Sequence, residues 1–180
     1  NVHIDKECLD LFYLGASYNV IFHLRGAELL IEKIAPQVLA RAPGKFKFHI
    51  CGSKLPEELV NKCKNGIIYE GYVPDLDGFL RNMDAGVFPV MTGKTMKGKV
   101  FETVAGAFPM VISSNCLGGY DLRDNKEVLL ADYNESFVEK ILQLADVKVR
   151  TELSANAYNF AQNEFGEQEI VSVLSRLLSK

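Results

Sequence analysis

Residues 85–112 read AGVFPVMTGKTMKGKVFETVAGAFPMVI. The run 85–90 is short and apolar without strict alternation, and so is Met110, Val111 and Ile112, the character of strands buried on both faces. Between them lie a stretch rich in glycine and lysine, 91–98, and a short helical segment, 99–105. Strand, loop, helix and strand in succession make a βαβ unit, whose two strands run parallel.

The same alternation extends in both directions. Further strands are expected at 11–14, 46–50, 67–69 and 128–130, the first three closing near Gly15, Gly52 and Gly71, which permit sharp turns. Residues 24–42 carry Ala27, Leu30, Ile31, Ile34 and Val38 as a helical stripe, with Pro36 expected to end or kink the helix. Pro56 before Glu57 and Glu58 suits a helix start, and 75–82 reads as another short helix. After the last strand the pattern is helical only, at 135–144, 147–165 and 167–178. Six parallel strands with helices on both faces make an α/β, three-layer αβα architecture. The chain reads as a single domain, 1–180, without internal repeats.

The composition fits that reading. Of 180 residues, 48% are hydrophobic and 24% charged, with 14 Gly and 6 Pro, which excludes disordered, collagen-like and disulfide-stapled classes. A net charge of −3 supplies no global attraction to nucleic acid or an anionic membrane, so any anion site must be local. No apolar run approaches the roughly 18 residues of a membrane span. Cys8, Cys51, Cys63 and Cys116 form no C-x-x-C pair, and His3, His23 and His49 match no zinc spacing, so no metal site is expected. Reduced thiols and the lack of a signal sequence point to a cytoplasmic location. The start at Asn1, without Met, leads to the expectation of a fragment or processed piece.

In an open parallel sheet, ligands bind beyond the carboxyl ends of the strands. The loops there include 15–19, 51–54, 71–74, 91–98 and 113–119. Gly93-Lys94-Thr95 fails as a phosphate-binding P-loop because the first glycine of that motif would be Phe88, followed by Pro89. Gly15-Ala16-Ser17-Tyr18-Asn19 is not the G-x-G-x-x-G of dinucleotide folds. What remains is a local anion trap: Lys94, Lys97 and Lys99 on a flexible backbone before a helix N-terminus, suited to a diphosphate. Its bland alternative is a solvated basic loop. Glu102, one turn into the helix, can accept hydrogen bonds from a ribose diol or serve as a surface residue. Arg25 is either a phosphate partner or one more exposed arginine. His23 and His49 read as structural, and Tyr72 is placed to stack on a base.

Residues 99–114, KVFETVAGAFPMVISS, resemble the K-V-L-E-A-x-A-x-G-x-P-V-V-x-S/T signature of the donor-binding half of GT-B glycosyltransferases of the group-one, or family-four, type. Gly71-Tyr72-Val73-Pro74 and the following residues to Pro89 are similar to the upstream block of that family. Gly118-Gly119, 127–132 and 134–141 are similar to its ending, so order and spacing agree over nearly the whole chain. Residues 1–9 resemble the interdomain linker of these enzymes, and 147–180 their C-terminal helices.

The resemblance implies a Rossmann-like domain, one half of a GT-B fold, that holds a nucleotide-diphosphate sugar for hexosyl transfer, with retention, to a glycan or lipid-linked glycan. The acceptor-binding N-terminal domain would be the missing partner, the full-length enzyme peripheral to a membrane, and the fragment alone inactive. No cofactor or metal is implied. Gly15 and Ser17 would line the phosphate side, Val73 would meet the base through its backbone, and Glu102 would bind the ribose. Lys94, Thr95, Met96 and Lys97 would line the donor loop, with Lys97 and Arg25 as the catalytic pair that stabilises the departing diphosphate. Two positions depart from the family pattern: Lys94 replaces the first carboxylate of the Glu-x7-Glu motif, and Ala16 replaces the usual arginine of the first loop. An epimerase on the same fold and a nucleotide-binding module without catalysis stay open as alternatives.

Overall fold

The computed structural model describes residues 6–91 and 97–166. In chain order the elements are β1 (Leu9–Ser17), α1 (Ile21–Leu29), a π-helical turn (Leu30–Ile34), α2 (Ala35–Arg41), β2 (Phe46–Ser53), α3 (Glu57–Val60), β3 (Ile67–Gly71), α4 (Leu76–Leu80), β4 (Ala85–Phe88), α5 (Lys97–Ala105), β5 (Met110–Ile112), β6 (Leu129–Leu130), α6 (Asn134–Gln143) and α7 (Val147–Phe165). The expected helix at 167–178 and the start of the linker, 1–5, lie outside the described residues.

The six strands form one parallel sheet in the order β3-β2-β1-β4-β5-β6. The order reverses direction between β1 and β4, which is the topological switch of a doubly wound sheet. Central β1 is apolar on both sides: Phe12 meets Phe88 and Phe108 edge-on, at 6.2 and 5.3 Å, on the face covered by α5. On the other face Tyr13, fully buried, lies under α1 and donates to the His23 carbonyl at 2.9 Å. Gly26 permits that approach, since a Cβ there would stand 2.5 Å from the Tyr13 hydroxyl.

Three expectations need correction. The first strand does not close at Gly15 but runs on to Ser17, with a bulge after Leu14. That path is held by Tyr18, whose amide donates to Ser53 O at 2.9 Å and whose hydroxyl donates to Cys51 O at 2.8 Å. The fourth strand stops at Phe88, because Pro89 has no N–H for the ladder. The long helix begins at Ile21, and Pro36 does not end it. The backbone first widens into the π-helical turn, with the Ala35 amide bonded to Leu30 O, and Pro36 then falls in the first turn of α2, where its missing donor is harmless. The Gln37 side chain donates to Lys33 O at 2.9 Å across the widened stretch.

Charged side chains tie the sheet on the face under α4. His49 on β2 sits between Asp10 of β1, at 2.9 Å, and Glu70 of β3, at 2.7 Å, with Phe79 of α4 against its ring. Lys6 bridges Asp10 and the buried Asp84 at 2.7 and 2.8 Å.

Candidate functional site

β1 and β4 are neighbours for only two register pairs, Leu11 with Ala85 and Phe12 with Gly86, whereas β1 follows β2 for most of its length. Past Phe12 the two strands share no further pairs, so the switch in strand order falls at the carboxyl edge of the sheet. Two helices start beside it, α1 after β1 and α5 after β4. The first turn of α1 has no side-chain cap and no acidic residue, so its positive end is not neutralised by the chain itself.

Gly15 and Ser17 lie at the end of β1, in the strand and not in a loop. Gly15 packs under the Tyr18 ring, and Ser53 donates to the Ala16 carbonyl at 3.3 Å, which fixes the edge. His23 lies in the first turn of α1. It is buried, its Nδ1 is 3.4 Å from Ser17 O, and Phe22 packs edge-on against its ring. Burial and the nearby positive charge of Lys99 push its pKa down and outweigh the hydrogen bond to Ser17, so the imidazole is held neutral.

On the α5 side Glu102 accepts from Lys99 at 2.9 Å, an i,i+3 pair with Glu102 about half exposed. Both line a cleft of about 720 Å³ between α4 and α5, floored by Leu76, Leu80, Phe101 and Phe108 with Asp77 and Arg81 opposite. Lys97 opens α5; Lys94, Thr95 and Met96 lie outside the described residues. The approach to them is anchored from β5: Ser113 donates to Val90 O at 2.5 Å and Asn115 to Met91 O at 2.6 Å.

Arg25 stands apart from that cleft. Its side chain is 66% exposed, pairs with Glu28 at 2.9 Å, and lines a separate groove with Ile21, Pro89 and Met91. Val73 follows β3 and packs partly against the core, with the exposed Tyr72 beside it. Asp75 then caps α4 by accepting the Gly78 amide at 2.9 Å. Among the described residues no group of three or more His, Cys, Asp and Glu is gathered to hold a metal, and no helix is long and apolar enough to cross a membrane.

The sequence profile described as "Glycosyl transferases group 1" matches residues 9–146. The chain belongs to the group 1 glycosyltransferases. Solved glycosyltransferases share its fold. The C-terminal domain of LpcC, a group 1 protein from Francisella tularensis, is 17% identical with a TM-score of 0.68, over 88% of this chain and 87% of that one. HepE from Anabaena, crystallised with UDP and glucose, is 16% identical with a TM-score of 0.70, over 94% of this chain and 48% of that one. Sucrose-phosphate synthase from Thermosynechococcus elongatus is 17% identical with a TM-score of 0.73, over 96% and 45%. The chain thus spans less than half the length of the latter two. No curated protein matches it significantly.

Proposed function

We propose that this group 1 glycosyltransferase domain binds a nucleotide-diphosphate sugar, so that the full-length enzyme transfers a hexosyl group to a glycan or lipid-linked glycan with retention. One observation carries the reading: α1 follows β1 and α5 follows β4, so two helices start at the carboxyl edge of the sheet where the strand order switches, and Lys99 and Glu102 pair at the start of α5.

On this reading the diphosphate lies over the two helix N-termini, where backbone N–H groups and dipoles favour an anion. The ribose diol donates to the Glu102 carboxylate, freeing the Lys99 ammonium for a phosphate oxygen. The base rests against the Val73 backbone. Three strand spacings separate β3 from β4, roughly 14 Å, a length that a nucleoside diphosphate spans. When the anomeric bond breaks, its electron pair stays on the diphosphate, and Lys97 and the helix ends stabilise that charge without a required metal. His23, uncharged, leaves the local balance to the lysines. The acceptor and the lobe that binds it belong to the rest of an enzyme working at the cytoplasmic face of a membrane.

Calorimetric titration of the chain with UDP, GDP and ADP tests the donor site. The expected result is saturable binding of one nucleotide, weakened about tenfold or more by Glu102→Gln and by Lys97→Ala. A dissociation constant unchanged in Glu102→Gln refutes the ribose assignment. Lys94 favours a second reading, a nucleotide-binding module that performs no transfer, since it stands where the family carries a carboxylate. That reading expects the full-length protein to gain turnover with Lys94→Glu.

A further inference from the structure

The helix that carries His23 at its start does something else two turns later. Where the π-helical turn widens it, a cleft of about 590 Å³ opens between this helix and the segment that leads into β3. The volume falls in the range of small-molecule sites, about 300 to 1,000 Å³. The cleft lies at the amino end of β3, whereas the donor site lies at the carboxyl ends of the strands.

Its lining has two characters. Ile31 and Ile67, both buried, and Pro36 and Leu39 make an apolar floor, with Leu39 held against Gly66. Three lysines, Lys33, Lys62 and Lys64, make the rim. Lys62 is bound at 2.7 Å to both Glu32, which also lines the cleft, and Glu58, a triad of net charge −1. Lys33 and Lys64 are exposed, and no carboxylate among the described residues pairs with either. An apolar floor beside two uncompensated ammonium groups is complementary to an anion joined to an apolar body.

We propose that this cleft is a second ligand site, separate from the donor site, that takes an anionic amphiphile: a phosphate or carboxylate head held by Lys33 and Lys64, with its apolar part on Ile31, Pro36, Leu39 and Ile67. The same chemistry is offered by a soluble monomeric amphiphile and by a lipid headgroup with the start of its chain.

The test uses octyl phosphate below its micellar concentration, followed by amide chemical shifts of the 15N-labelled chain. Saturable shifts confined to 31–39 and 62–67 are expected, weakened about tenfold for each of Lys33→Gln and Lys64→Gln. Octyl glucoside, with the same tail and no charge, is expected to leave those amides unmoved. Flotation with phosphatidylglycerol and with phosphatidylcholine vesicles separates the two sources: binding to the anionic vesicles, lost in the double variant, assigns the site to a lipid, and shifts with octyl phosphate alone assign it to a soluble ligand. Failure of both probes overturns the proposal, and so does equal response to octyl glucoside or full retention in the double variant. UDP titration of the double variant keeps the two sites distinct, because its affinity should equal that of the unmodified chain.

Discussion

Gly26→Ala is a substitution that helix propensity alone would favour, by about 1 kcal/mol. In this fold the new methyl would stand 2.5 Å from the Tyr13 hydroxyl and 3.1 Å from its Cζ, and the ring has no room to yield because Tyr13 is wholly buried and its hydroxyl is engaged with His23 O. Overpacking of that kind costs about 1 to 3 kcal/mol, so after the propensity gain the net expectation is a loss of up to about 2 kcal/mol. For a chain of this size that corresponds to a fall in Tm of up to roughly 8 °C. Tyr13→Phe alone should lose about 1 kcal/mol with its hydrogen bond. In the Tyr13→Phe background the most severe contact is gone, and Gly26→Ala should become neutral or slightly stabilising. Urea denaturation of the four proteins, followed by circular dichroism, gives a coupling energy of about 1 to 2 kcal/mol if this is right. Stabilisation by Gly26→Ala in both backgrounds, or strict additivity, would refute the claim that Tyr13 sets the distance between β1 and α1.

Two further predictions concern pH. His23 has its pKa pushed down by burial and by Lys99, so it contributes stability that is present above its ordinary pKa, about 6.5, and is lost as pH falls through the lower folded value. Tm measured from pH 7.5 down to 5 should therefore fall more steeply for the unmodified chain than for His23→Gln; parallel slopes would refute it. Burial pushes the buried Glu127 carboxyl up, but the Arg123 guanidinium and amide, at 2.9 and 3.0 Å, outweigh it and hold the carboxyl below its usual range. Its stabilisation is present above roughly pH 4.3 and disappears as pH falls through the folded value, so acid unfolding should show a shallower dependence in Glu127→Gln.

All six strands were legible because strands buried on both faces read as short apolar runs between turn residues. Their edges were not, since Asp10 and the polar end of β1 carry no hydrophobic signal and are fixed by Tyr18 and by Lys6 instead. Pro36 misled for a physical reason: its effect on a helix depends on whether the preceding turn can widen, which periodicity does not report. In the site, the spacing of Lys99 and Glu102 was visible, while the place of α1 beside α5 depends on which strands are neighbours. The starts of α1 and α5 share one edge of the sheet only because β4 lies beside β1 and not beside β3. The His49 network has the same origin, for its two carboxylates come from strands on either side.

The short seam between β1 and β4 bears on how the domain fluctuates. Residues 9–71 and 85–130 each form a three-stranded half whose strands are joined to sequence neighbours, and two register pairs plus packed side chains join the halves. Sub-global opening of a protein follows such weakly paired boundaries, and amide hydrogen exchange reads it. The amides of 85–88 should thus lose protection earlier than those of 46–50. A molecule lodged over both helix starts would act as a staple across the parting line, and its affinity would appear as slowed exchange on both sides at once.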